Sequence, residues 1–255
     1  MAKPTTGLKR GRGIYLLPNL FTTSALLAGF YAIVAAYNAQ YESASIAILV
    51  ALVLDGLDGR VARMTNTASS FGAEYDSMSD MVSFGVAPAF LVYAWSLSSM
   101  STVKFGHLGW VITFFYTACC GLRLARFNVQ VGTADKRFFQ GLACPAAAAV
   151  MALMVWVMID LGVSGRELVF LSLIVTFCSG LLMVSNFMYY SFKYLGSNKR
   201  VPFVGVLCLV LILVFTSVDP PKILLAGFAV YALSGPVYAA FRWVRKRRRV
   251  SVPRD

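Results

Sequence analysis

Four aspartates, Asp55, Asp58, Asp76 and Asp80, lie within the 26 residues DGLDGRVARMTNTASSFGAEYDSMSD that run from 55 to 80. The first pair is spaced by three residues and the second by four, so each pair shares one face of a helix. Long apolar segments flank the stretch, and an uncompensated carboxylate at membrane depth costs ~2.5–3.5 kcal/mol. Such a cluster requires neutralisation, and divalent metal is the obvious means. Two Mg²⁺ or Mn²⁺ ions about 4 Å apart balance four carboxylates and clamp a phosphoryl group. Asp55 and Asp58 are expected to ligate from one helix and Asp76 to close the site from the next. Asp80, one turn further on, can touch metal and also accept a proton from an attacking hydroxyl. Gly59 lets a nucleotide or phosphate approach the helix backbone, and Arg63 offers a fork of donors to a diphosphate. Ser69 stands where the start of a helix favours anions. These residues point to a metal-dependent enzyme at a membrane surface.

The elements that hold them must be helices in lipid. The chain is 58% hydrophobic and 13% charged, with a mean hydropathy of +0.71. Those values exclude a disordered chain and leave no room for a water-soluble domain. Apolar windows of about 20 residues give eight spans, near 16–39, 44–65, 72–98, 106–128, 141–161, 167–191, 201–217 and 222–243. The expected fold class is therefore all-α integral membrane, a polytopic helical bundle of about eight spans. A basic segment 1–14 precedes a transmembrane catalytic domain 15–243, and a basic tail 244–255 follows it. The first span is too long for a signal peptide and lacks a small-residue cleavage site.

Orientation follows from the cations. With the N-terminus inside, twenty Lys and Arg fall on the cytoplasmic side and three, Lys104, Arg166 and Lys222, outside. Both termini and the acidic cluster are then cytoplasmic. The net charge of +12 brackets hydrophobic spans instead of forming a folded basic face, so no nucleic acid is expected as a partner. The run RWVRKRRR (242–249) is expected to lie against anionic headgroups. Cys119, Cys120, Cys144, Cys178 and Cys208 have no metal-ligand spacing and read as small apolar fillers. An ion-coupled transporter is the alternative of another class, but such sites lie at the midplane between repeated halves. Here no second half echoes the acids.

The order Asp55, Asp58-Gly59, Ala62-Arg63, Gly72, Asp76, Asp80 resembles the signature of the CDP-alcohol phosphotransferase family at all eight positions. That resemblance implies a six-span core, about 15–191 here, usually dimeric and open to the cytoplasm. The spans within 201–243 are then additions to it. It also implies that Asp55, Asp58 and Asp76 bind metal, with Asp80 as base and further ligand. The cytidine diphosphate group would lie near Asn19, Gly59, Arg63, Ser69 and Gly72. Three further stretches, DMVSFGVAPA (80–89), GLRLARFNV (121–129) and FQGLACPAAA (139–148), resemble the bacterial membrane-embedded phosphatidylserine synthases. Relatives commonly carry a proline soon after the Gly-Leu of the third stretch, where this chain has Ala143-Cys144. The resemblance implies transfer from CDP-diacylglycerol to L-serine in the bacterial inner membrane, with membrane lipid and a second copy as partners.

The residues themselves give one reason for an amino-acid acceptor. Arg123 and Arg126 share a helix face at the cytoplasmic end of the fourth span, with Asn128 just beyond, and can bind a substrate carboxylate. Equally, both arginines can be span-end anchors or meet lipid phosphate. With Lys136 and Arg137 they also keep glycerol 3-phosphate open as the acceptor.

Overall fold

A computed structural model describes residues 16–65, 69–102, 107–130, 138–190 and 219–250. Helices α1 (Leu16–Tyr37) and α2 (Tyr41–Thr65) form an antiparallel hairpin. Next come α3 (Ser70–Asp80), a π-turn at Met81–Val86, and α4 (Ala87–Trp95), which together make one 26-residue span, Ser70–Trp95. A 3-10 turn at Leu97–Thr102 leads to α5 (Leu108–Gln130), β1 (Phe138–Gln140), α6 (Cys144–Asp160), α7 (Val169–Val184), β2 (Met188–Tyr190) and α8 (Pro220–Val250).

Among the described residues, four helices are long and apolar enough to cross a membrane: Asn19–Tyr37, Ser70–Trp95, Leu108–Val129 and Pro220–Arg242. Large apolar side chains such as Leu27, Phe30, Phe114, Leu122, Phe170, Leu233 and Phe241 stand exposed on the outside, as lipid surroundings allow. The chain is a helical membrane protein. The expected eight spans are met only in part, because α6 and α7 are apolar but 17 and 16 residues long. Residues 201–217 lie outside the described residues. Two further departures are instructive. The sixth expected span ends at Val184, and beyond it β2 pairs antiparallel with β1, Phe139 opposite Tyr189, so a short ladder is added to a mostly helical fold. The last helix continues to Val250, so residues 244–250 extend that helix instead of beginning a separate tail.

Packing starts from alanine. Ala25, Ala32, Ala35 and Ala36 on α1 are buried, as are Ala44, Ala47 and Ala51 on α2, and small side chains let two helices approach closely in lipid. Helix α6 is buried nearly all round, through Ala146–Ala149 and Met151–Val155, and packs against α2, α4, α7 and α8. It is the centre of the bundle.

Two prolines interrupt helical hydrogen bonding, and the same device repairs both. Pro88 has no N–H for the carbonyl four residues back, Phe84, which instead accepts the Tyr116 hydroxyl at 3.0 Å. Pro236 likewise cannot serve Ala232, whose carbonyl accepts the Tyr189 hydroxyl at 2.9 Å. Gly235 makes room for that ring, since a Cβ there would collide with it. Both tyrosines are buried, where a lost partner is expensive.

Helices α1 and α6 end alike. At α6, Val163 N donates to Met158 O at 2.9 Å and Gly162 takes φ +70. At α1, Gln40 N donates to Ala35 O at 2.9 Å, but the left-handed position is held by Ala39 at φ 60. A left-handed alanine costs roughly 1–2 kcal/mol that glycine avoids, offset in part by glycine's greater chain entropy. Ala39→Gly is therefore expected to stabilise the protein by about 0.5–1 kcal/mol, read as a higher melting midpoint in detergent. A lower midpoint would contradict the left-handed turn.

Candidate active site

The acidic cluster is assembled by polar contacts onto α1. Ser79 and Ser83 donate to the carbonyls of Thr22 and Ala25, each at 3.1 Å, and so lay the third span along the first. The Tyr75 and Thr23 hydroxyls meet at 2.9 Å. With α2 already paired to α1, the faces bearing Asp55 and Asp58 and bearing Asp76 and Asp80 are brought together.

One carboxylate oxygen from each of Asp55, Asp76 and Asp80 lies within 4.8 Å of the other two. Asp58 and Asp76 lie close enough for each carboxyl group to bear on the other, as Asp55 and Asp80 do. Asp58 sits deeper, buried, and accepts the Thr22 hydroxyl at 2.9 Å. Carboxylates at such separations need protons or cations between them. Asp76 Oδ1 is buried and has no hydrogen-bond partner. An all-oxygen donor set with an orphaned carboxylate oxygen fits a hard divalent cation such as Mg²⁺ or Mn²⁺.

Asn19, Ser69 and Gly72 gather at the start of α3. A Cβ on Gly72 would lie 3.2 Å from Ser69 Oγ and 3.6 Å from Asn19 Oδ1. Ser69 caps the helix by accepting the Gly72 N–H at 3.0 Å. Its own proton can still be donated to an anion at this positive helix end. Gly59 faces open space, nothing lying within 4 Å of a Cβ built on it. Arg63 is on the last turn of α2, and its side chain lies outside the described residues.

The expected trio Arg123, Arg126 and Asn128 divides. Arg126 donates to Val184 O at 3.3 Å and closes the C-terminal end of α7, where carbonyls lack helical donors. Asn128 donates to the Ser77 hydroxyl at 3.0 Å and braces α3 beside Asp76. Arg123 alone has capacity to spare. Its Nη1 points to Cys144 Sγ at 3.7 Å, while its Nε is buried without a partner. Cys144, expected as filler, thus lines this side of the site. The reading from sequence missed Thr22, Ser77 and Cys144. The hydroxyl run Thr22-Thr23-Ser24 inside an apolar span was the available signal for the first.

Comparison with known proteins agrees with this geometry. A CDP-diacylglycerol–serine O-phosphatidyltransferase of Helicobacter pylori is 37% identical over 238 residues, covering 91% of this chain and 92% of that protein. The enzyme of the same name from Mycobacterium tuberculosis is 40% identical over 148 residues, covering 56% of this chain and 50% of that protein. An archaetidylserine synthase of Methanothermobacter thermautotrophicus is 36% identical over 138 residues, covering 53% of this chain and 56% of that protein. The family model for CDP-alcohol phosphatidyltransferases matches residues 15–184, a stretch that contains all four aspartates and both helices bearing them. The chain belongs to the CDP-alcohol phosphatidyltransferase family.

Proposed function

We propose that this chain transfers the phosphatidyl group of CDP-diacylglycerol to L-serine, giving phosphatidylserine and CMP. The observation that carries the reaction type is the convergence of Asp55, Asp76 and Asp80 from two helices, with Asp76 Oδ1 orphaned. The acceptor is supported by the names of relatives that match nearly the whole chain and by the free donor on Arg123.

Two divalent cations, Mg²⁺ or Mn²⁺, held by Asp55, Asp58, Asp76 and Asp80, would polarise the diphosphate when bound. The residues do the rest. Asn19, Ser69 and Gly72 receive the nucleotide diphosphate at the start of α3, with Gly59 leaving room on α2 and Arg63 assigned to the diphosphate by the family resemblance. Arg123 holds the serine carboxylate and so aims its hydroxyl at the cluster. Asp80 takes the hydroxyl proton as the serine oxygen bonds to the phosphorus that carries diacylglycerol. The bond from that phosphorus to the CMP oxygen breaks, and CMP leaves. Direct displacement is favoured because, among the described residues, the convergent group is made of carboxylates alone. Arg126 and Asn128 serve by bracing α7 and α3.

The catalytic unit is residues 15–243 embedded in the bacterial inner membrane, with both termini and the site on the cytoplasmic face, as the distribution of Lys and Arg supports. The lipid enters sideways with its acyl chains in hydrocarbon. A homodimer is the assembly that the family resemblance supports.

CMP release from CDP-diacylglycerol by purified protein tests the reaction. Release should require serine, fail with glycerol 3-phosphate, inositol phosphate or choline, and stop with EDTA. Release with another acceptor alone would overturn the assignment to serine. Asp76→Asn should lower turnover by at least about 100-fold, as when a group stabilising developing charge is lost, while the protein still elutes as a folded species. Arg123→Gln should raise KM for serine roughly tenfold or more, the range for losing a charged hydrogen bond. KM for CDP-diacylglycerol should stay put. An equal rise in both would remove Arg123 from the serine site.

A further inference from the structure

We infer that Tyr116, with Thr117 beside it, is a positioning residue for the carboxylate cluster, acting through the π-turn that directly follows Asp80. The inference rests on the reading that this cluster binds a divalent cation.

Hydrogen bonding up to Met81 is α-helical, with Met81 N–H reaching Ser77 O, but five residues separate Ala87 N–H from its acceptor, Val82 O. One extra residue in a turn rotates whatever follows by about 100° relative to a regular helix. Such turns persist where neighbours hold them, and here both sides are held. On the α1 side, Ser83 donates to Ala25 O at 3.1 Å, and Gly29 lies so close that a Cβ there would be 2.7 Å from Ser83 Cα. On the α5 side, Tyr116 donates to Phe84 O at 3.0 Å, and the Thr117 hydroxyl is shared between Gly85 O at 3.3 Å and Thr113 O of its own helix at 3.0 Å. A Cβ on Gly85 would lie 3.2 Å from Met81 Sδ and 3.3 Å from Cys120 Sγ, so the turn has little room to shift.

Pro88 makes Tyr116 indispensable to this arrangement. It denies Phe84 O the donor that an α-helix would supply, and the carbonyl is buried where water cannot replace it. Without the tyrosine hydroxyl, the turn must rearrange to find another donor. The load falls unequally on its two ends. Helix α4 is anchored in the core by Ala87, Leu91 and Val92, all fully buried. Helix α3 exposes Phe71 and Met78 and has few buried side chains. Rotation is therefore taken up by α3, and it swings Asp76 and Asp80 away from Asp55. Tyr116 touches none of the carboxylates, yet it sets their register.

The test compares Tyr116→Phe and Thr117→Val with Tyr189→Phe. The last removes the same kind of bond, from a proline-freed carbonyl, but on α8. Melting midpoints of the purified proteins are followed against added Mn²⁺, and Mn²⁺ activation of serine-dependent CMP release is measured in parallel. Both tyrosine variants should melt lower in EDTA. Only Tyr116→Phe should need more Mn²⁺ for half-maximal stabilisation and activation, by about tenfold, the low end for residues supporting metal ligands. KM for serine should not change. Thr117→Val should shift the Mn²⁺ requirement the same way by less, and it decides the matter if Tyr116→Phe does not fold. Wild-type Mn²⁺ response in the folded variants would overturn the positioning role and leave the metal reading standing. Absence of Mn²⁺ stabilisation in the wild-type protein would overturn both.

Discussion

Carboxylates gathered among apolar helices dominate this structure. Asp55, Asp76 and Asp80 present oxygens within 4.8 Å of one another, and in a medium of low dielectric their mutual repulsion is strong. A fold that holds them together must do so with other interactions, since the acids themselves oppose it. The supply is visible on α1. Ser79, Ser83 and Tyr75 bind to it from the third span, and Thr22 reaches from it to Asp58. Helix α1 contributes no carboxylate, yet it is the surface on which both acidic helices are mounted.

The same reasoning extends to the backbone. Inside a membrane every carbonyl needs a donor, and a proline removes one from the residue four before it. At Phe84 and Ala232 the missing donor is a buried tyrosine hydroxyl from another element, so each proline ties two elements together. A regular helix would satisfy its own carbonyls and offer no such attachment. At the C-terminal end of α7 the donors are Arg126 and the backbone N–H of Leu142, which reaches Leu182 O at 2.9 Å. Polar bonding to carbonyls, more than side-chain packing between apolar faces, determines how the ends of these helices are placed.

The chemistry could be read from sequence because its signal is local. Two acids three apart and two acids four apart fix faces without any knowledge of the fold, and the surrounding hydropathy makes those faces costly unless they are used. The signature around them adds glycines and arginine at set distances. What escaped detection depends on residues far apart in the chain. The β1–β2 ladder joins 138–140 to 188–190, and nothing in either tripeptide announces a partner fifty residues away. The π-turn is made of residues with no local mark, and only Tyr116, thirty-two residues beyond Phe84, explains it. Arg126 and Arg123 look alike in sequence, three apart on one face, and only the position of Val184 O separates a helix-closing arginine from one with an idle Nε.

That separation bears on how the two sides of the cluster are built. The acidic side is α2 and α3, mounted on α1 and joined by the π-turn to α4, all within the family-matched residues. The basic side brings Arg123 of α5 against Cys144 in the first turn of α6. Helix α8 lies outside the family-matched residues, yet it is not loosely attached. The Tyr189 hydroxyl fixes it at Ala232, the Tyr189 and Tyr231 rings meet at a 49° tilt with centroids 5.5 Å apart, and it packs against the central α6. The two sides share α5: its Tyr116 and Asn128 brace the span that carries Asp76 and Asp80, while its Arg126 closes α7, so one helix refers the acidic cluster and the basic side to each other.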